Sequence, residues 1–342
     1  NGDTVNYLNY IKSDAEYLEV RDYAFYSSRS LMTIDANISY IGNYAFYWVD
    51  GLMSIKFSDK LTHIGDYAFL HGMYQGSSIT IPSTVTEIGA GAFQNSNLKE
   101  ITFLNEFEKV SDSMFYGSNF LEKVTLPSTV KEIGTSAFQT CKKLKEVNLP
   151  EGLETIGNLA FASAFISGKV VIPTTVTSLG TNVFASSGIE EIEILASIKD
   201  IPINTFNDST NLSKVILPES TKRISEKAFY KCSSLKEINL PEGLYKIGDQ
   251  AFYRAFEPGS VAITIPSSVF IYGNSIFEKS GLKEVTILSD VDLSVSMFNS
   301  NTYLETVNLS NTLNVIGNYA FKGCTKLKNI NIPSSLIAIG NS

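Results

Sequence analysis

A phenylalanine returns along almost the whole chain at Phe25, Phe46, Phe69, Phe93, Phe115, Phe138, Phe161, Phe184, Phe206, Phe229, Phe252, Phe277, Phe298 and Phe321, at intervals of 21 to 25 residues. No other feature restricts the fold as tightly. A single compact core stops growing at roughly 250–300 residues, so a chain of 342 residues would ordinarily divide. A repeat array escapes that limit, because each unit packs only on its neighbours.

The stretch 138–161, FQTCKKLKEVNLPEGLETIGNLAF, serves as the template. In LKEVNLP, Val147 and Leu149 alternate with Glu146 and Asn148, the period-2 pattern of a short strand with one buried face. Pro150 ends that strand, since proline cannot donate to a ladder; Pro82, Pro127, Pro173, Pro218, Pro241, Pro266 and Pro333 hold the same slot. A second apolar stretch, Leu153 and Ile156, closes at Gly157. Glycine recurs there at Gly42, Gly65, Gly89, Gly134, Gly180, Gly248, Gly317 and Gly340, which predicts a positive φ or a tight corner. Ala160 and Phe161 then predict a helical turn that plugs the interior of the coil. One unit buries too few apolar side chains to offset its own ordering entropy, so units must stack.

The co-registered IGxxAF and CxxLxxI blocks resemble the BspA-like leucine-rich repeats across residues 20 to 340. Ser111, Pro202 and Ser225 depart from the pattern by replacing the glycine, and residues 270–298 keep it loosely. The resemblance implies an α/β-type leucine-rich repeat solenoid of about 14 coils. It would be right-handed, with mainly short parallel strands and short helical or irregular turns. The resemblance also implies a secreted or cell-surface protein of a host-associated microbe, often involved in adhesion. The expected organisation is an N-terminal cap and degenerate first repeat over 1–24 and a solenoid over 25–342, one domain overall. The chain stops at Asn341 and Ser342, just before the next Ala-Phe, so truncation of a longer protein is expected.

A second period overlies the first. Cysteine follows Phe138, Phe229 and Phe321 by three residues, and insertions follow Phe69, Phe161 and Phe252, each series about 92 residues apart. The array therefore looks like duplications of a four-repeat block. Cys141, Cys232 and Cys324 would sit four coils apart, roughly 19 Å at about 4.8 Å per coil. That exceeds the roughly 7 Å Cα separation a disulfide tolerates, so buried apolar thiols are expected.

Composition narrows the function. The net charge of −8 and the lack of basic clusters argue against nucleic acid. No apolar run approaches the roughly 18 residues of a membrane span. No phosphate loop, HExxH or EF-hand pattern is present. Of the two histidines, His63 holds a slot filled elsewhere by polar residues and should face solvent, and His71 reads as a loop residue. Glu190, Glu191 and Glu193 form a carboxylate cluster. Alignment instead places Glu191 in an alternating series: Glu100, Lys123, Glu146, Lys169, Glu191, Lys214, Glu237. In a parallel stack each charge would lie between two opposite ones. The series should fix register, and the chain should be neither an enzyme nor a binder of cofactors or metals.

Two groups of side chains are candidate partner contacts. The insertions carry Met73 and Tyr74, Phe165 and Ile166, and Phe256; these either fill the place of a missing leucine or contact a partner. The N-terminal stretch carries Tyr7, Tyr10, Tyr17, Tyr23, Tyr26, Tyr40, Tyr44, Tyr47 and Trp48, which either cap the stack or form a ligand patch. Tyr74, Phe165, Phe256, Tyr47 and Trp48 are therefore the expected contacts. The functional expectation is a monomeric, extracellular recognition or adhesion module that binds a protein or a glycan. A structural spacer presenting another domain is the alternative.

Overall fold

The computed structural model describes residues 8–164 and 168–341. Two compact units are distinguished, Asn1–Ile166 and Ser167–Ser342. Each is a stack of coils in which every paired strand is parallel to its neighbour.

In the first unit the nine-residue strand Thr33–Ile41 pairs with both Tyr10–Lys12 and Leu18–Val20 on one side, and with Ser54–Phe57 and His63–Ile64 on the other. Beyond it each coil carries a main strand and a shorter second strand in separate sheets. The main strands Ser78–Ile81, Glu100–Phe103, Lys123–Thr125 and Glu146–Val147 form one sheet, and Lys109–Val110, Glu132–Ile133 and Thr155–Ile156 stack in another. The second unit repeats this plan. Lys169–Ile172, Glu191–Ile194, Lys214–Ile216 and Glu237–Ile238 form one main sheet, and Ala262–Ile265, Glu284–Ile287, Thr306–Asn308 and Asn329–Ile330 form the next. The proline after a main strand opens a turn: the Pro127 carbonyl accepts from Val130, and that of Pro150 from Leu153.

The phenylalanine series lies in the interior as a continuous pile within each unit. Rings of Phe46, Phe69, Phe93, Phe115, Phe138 and Phe161 stack face to face at 5.1 to 5.7 Å. Those from Phe184 to Phe321 stack at the same spacing. The coil repeat of about 4.8 Å set by strand pairing nearly matches the stacking distance of aromatic rings, so both are satisfied together.

Two expectations need correction. The Ala-Phe segment is not helical, and no helix is present among the described residues. Its amides alternate between two destinations. Those of Ala137, Gln139 and Cys141 donate to the carbonyls three residues back, while those of Ser136, Phe138 and Thr140 donate to Asn158, Ala160 and Ala162 of the next coil. With every second amide committed sideways, an i→i−4 ladder cannot form. The positive φ also lies elsewhere than at the recurrent glycine. It falls two residues before and two after the phenylalanine, as at Ser136 and Thr140, Lys227 and Lys231, and Gln250 and Arg254. The glycine answers to close approach: a Cβ on Gly134 would stand 2.8 Å from the Val110 carbonyl oxygen, and one on Gly248 2.6 Å from the Glu226 amide nitrogen.

The charge series stands in the expected register, with Lys123 opposite Glu100 and Glu146, and Lys214 opposite Glu191 and Glu237. The ion pairs are one-sided, however. Lys123 closes on Glu146 at 2.8 Å and Lys214 on Glu237 at 2.7 Å, while Lys169 turns to Glu193 at 3.0 Å.

Candidate interaction surfaces

The aromatic residues of the first coils form a terrace outside the core. Because residues at equal positions in successive coils lie about one strand spacing apart, the side chains two before each phenylalanine pile up. Tyr23 stacks on Tyr44, and Tyr44 on Tyr67, each at 5.2 Å. One residue after the phenylalanine, Tyr26 stacks on Tyr47 at 4.6 Å. Two after it, Trp48 lies 5.6 Å from His71, with the Arg29 guanidinium 4.8 Å above the Trp48 ring. Tyr47 and Trp48 touch at 5.3 Å, joining the rows. Trp48 remains 39% exposed, and Tyr23 and Tyr26 are exposed as well. Burial raises the Tyr44 phenol, with Tyr67 and Tyr23 adding to the effect, and burial lowers the His71 imidazole.

His71 is thus not a plain loop residue. It holds the Trp48 position of the next coil, at φ +53°, as counting two residues from Phe69 and from Phe46 would have indicated. Tyr67 was missed for the same reason: its place in the pile follows from alignment rather than from local aromatic density. His63 lies on Tyr40 at 4.7 Å, with Nδ1 3.1 Å from a Glu87 oxygen.

The insertions divide between buried and exposed side chains. Phe256 is 2% exposed and stacks on Phe252 at 5.4 Å, so it fills the interior and is not a contact residue. Met73 is buried likewise, whereas Tyr74 is 48% exposed. Phe165 and Ile166 lie outside the described residues.

Each described insertion also opens the main sheet. The Met73 and Tyr74 amides donate to Val49 and Leu52 of the coil before, and a turn from Tyr74 to Ser77 follows. The strand Ser78–Ile81 consequently begins out of reach of Ser54–Phe57, and the two are not paired. The second unit matches: Phe256 and Glu257 donate to Cys232 and Leu235, and Glu237–Ile238 and Ala262–Ile265 end their separate sheets. On the opposite side the stack stays closed, since His63–Ile64 pairs with Glu87–Ile88, and Lys246–Ile247 with Ile271–Tyr272. Cavities of about 320 and 500 Å³ lie along the two main-sheet gaps. Ile55, Ile79 and Ile238 beside them are half-buried, whereas Ile101, Val215 and Val285 in intact sheet are buried.

The groups that could carry chemistry are dispersed or satisfied. Glu193 is paired with Lys169, and Asp200 is held below its usual range by a hydrogen bond from Arg223. No cluster of three potential metal ligands occurs among the described residues, nor does any helix long and apolar enough to cross a membrane. The cysteines are free thiols, but they do more than fill space. Cys141 donates to the Phe115 carbonyl at 3.0 Å, Cys232 to Phe206 and Cys324 to Phe298, both at 3.1 Å. Ser118 and Ser209 make the same bond in other coils. Burial pushes all three thiols up, Cys324 to about 11.

The sequence matches the BspA type leucine rich repeat region over residues 4–76, 71–190, 164–264 and 254–342. Among solved structures, a leucine-rich repeat protein from Bacteroides ovatus is 22% identical over 97% of this chain and 83% of its own, with a TM-score of 0.56. One from Eubacterium ventriosum is 21% identical over 80% of this chain and 83% of its own, with a TM-score of 0.51. A leucine rich cell surface protein from Faecalibacterium prausnitzii is 20% identical over 98% and 88%, with a TM-score of 0.46. At these identities the likeness is one of fold. No curated protein matches the chain significantly.

Proposed function

Since this chain belongs to the BspA type leucine-rich repeat region family, we propose that it is a non-catalytic recognition module, displayed outside the cell, that binds a protein or a glycan through the aromatic terrace. The observation that carries this reading is the joined row of Tyr26, Tyr47, Trp48 and His71, with Arg29 over Trp48 and with Tyr26 and Trp48 exposed to solvent. Tyrosine, tryptophan and arginine are the residue types that dominate binding hot spots, because they supply large rigid area at low entropic cost. The phenylalanine pile fills the interior separately from this row. Tyr74 extends the candidate surface from the neighbouring insertion.

The test screens the chain on a glycan array and on immobilised extracellular proteins, then repeats each hit with Tyr47→Ser and Trp48→Ser. Losing one exposed hot-spot aromatic should weaken binding by about 2 kcal/mol, or some 30-fold, with the melting temperature little changed. Binding undiminished in both variants would remove the terrace from the recognition surface. No saturable binding to either probe set would favour a spacer that presents some other domain.

A further inference from the structure

We propose that the main-sheet gap between Glu237–Ile238 and Ala262–Ile265 receives an extended, basic segment of a partner protein, which pairs there as an added parallel strand. This site is independent of the aromatic terrace.

The gap presents backbone, which is what a strand recognises. In the intact pairing one coil on, Lys283 and Leu288 donate to the Val261 and Ile265 carbonyls. By the same alternation, the amides of Ala262 and Thr264 and the carbonyls of Lys236 and Ile238 turn toward the gap, where no strand among the described residues meets them. The gap cannot close by simple settling. Phe256, buried on Phe252, and the ion pair between Lys236 and Glu257 at 3.0 Å fix the insertion that holds the strands apart. The cavity of about 500 Å³ lies within the usual size of ligand sites, roughly 300–1,000 Å³.

Side chains define the occupant. Ile238, half-buried at the opening, lacks the cover that Val215 and Val285 enjoy, while Ile263 across from it is buried, so the entering strand should turn an aliphatic residue inward over Ile238. Outward, Glu237 has Lys214 in register on one side, while the uncharged Ala262 holds the next coil's position. The alternation therefore lacks a cation on this side, and a lysine or arginine on the guest strand would supply it. The gap in the first unit has the same build but carries Ser54 and Ser78 at the charged slots, so the preference for a basic guest belongs to the second.

The probe is a fluorescein-labelled peptide, Leu-Glu-Lys-Val-Thr-Leu-Pro-Ser, the sequence of residues 121–128, a strand of this same fold in which Lys123 brings the cation to the charged slot and Val124 the inward aliphatic. Titrated with the full chain, its anisotropy should rise to saturation, and hydrogen exchange at the Thr264 amide should slow. Affinity should fall about tenfold when Val124→Pro in the peptide or Ala262→Pro in the chain removes a ladder donor. Glu237→Lys should weaken the same peptide comparably, and a peptide carrying Lys123→Glu should recover binding to that variant. Trp48→Ser should leave these affinities unchanged, which separates this site from the terrace. Absence of saturable binding, equal affinity for all variants, or failure of the swapped pair to recover would overturn the proposal.

Discussion

The slot three residues after each phenylalanine shows what single side chains contribute. Cys141, Cys232, Ser118 and Ser209 all donate there to a phenylalanine carbonyl one coil back. Cys141→Ser should therefore lie within about 1 kcal/mol of the wild type in urea unfolding, while Cys141→Val, similar in size but without a donor, should cost about 1 kcal/mol more. Cys324, half-buried, should react first with a thiol reagent under native conditions, and Cys141 and Cys232 only on unfolding. All three thiols titrate higher folded than unfolded, so their contribution is complete below about pH 9 and declines as pH rises beyond it. For His71 the sign reverses: its folded value lies below the unfolded 6.5, so stability falls as pH drops through that interval. The single tryptophan, Trp48, is its ring neighbour, and Trp48 fluorescence should report the protonation with a midpoint below 6.5. An unshifted midpoint would place His71 in open solvent. The alignment of the coils made the cysteine slot legible, yet the thiol bond escaped the reading. The clue lay in serine occupying the same slot in other coils, an exchange that apolar burial does not explain.

At the scale of the coil, two positions two residues apart should answer oppositely to mutation. Gly248→Ala places a Cβ against the backbone of the preceding coil and should cost about 1–3 kcal/mol through overpacking. Gln250→Gly relieves a left-handed residue worth roughly 1–2 kcal/mol, offset by about 0.5–1 kcal/mol of extra chain entropy. It should be neutral or mildly stabilising. Urea midpoints of the two variants decide the matter; parallel losses would refute the assignment of roles. The strands, their prolines and their register were readable because side-chain alternation and parallel stacking leave little choice. The Ala-Phe segment was misread as helical because small-then-large apolar residues suit a helical turn. The alternation of its amides between chain and neighbour is a tertiary fact that local preference does not encode.

Over whole units, the order of the coils should appear as a gradient of local opening. Amides in Glu100–Phe103 and Lys123–Thr125, paired on both sides, should exchange far more slowly than those in Ser54–Phe57 and Ser78–Ile81 beside the gap. Uniform protection through this part of the first unit would show that the gap closes in solution. The four-coil period was visible in the spacing of the insertions. What the spacing could not convey is that an insertion separates the main strands while leaving the second strands and the ring pile engaged. That asymmetry has a mechanical side. A force drawn along the stack meets dense hydrogen-bond ladders on both flanks of an ordinary coil, but at the seam beside Phe256 the main-sheet flank has no paired strands and the insertion contributes only the bonds from Phe256 and Glu257. Stretched, the second unit should yield first at that seam, peeling from its open side, so the insertions would act as fuses that decide where a loaded stack comes apart.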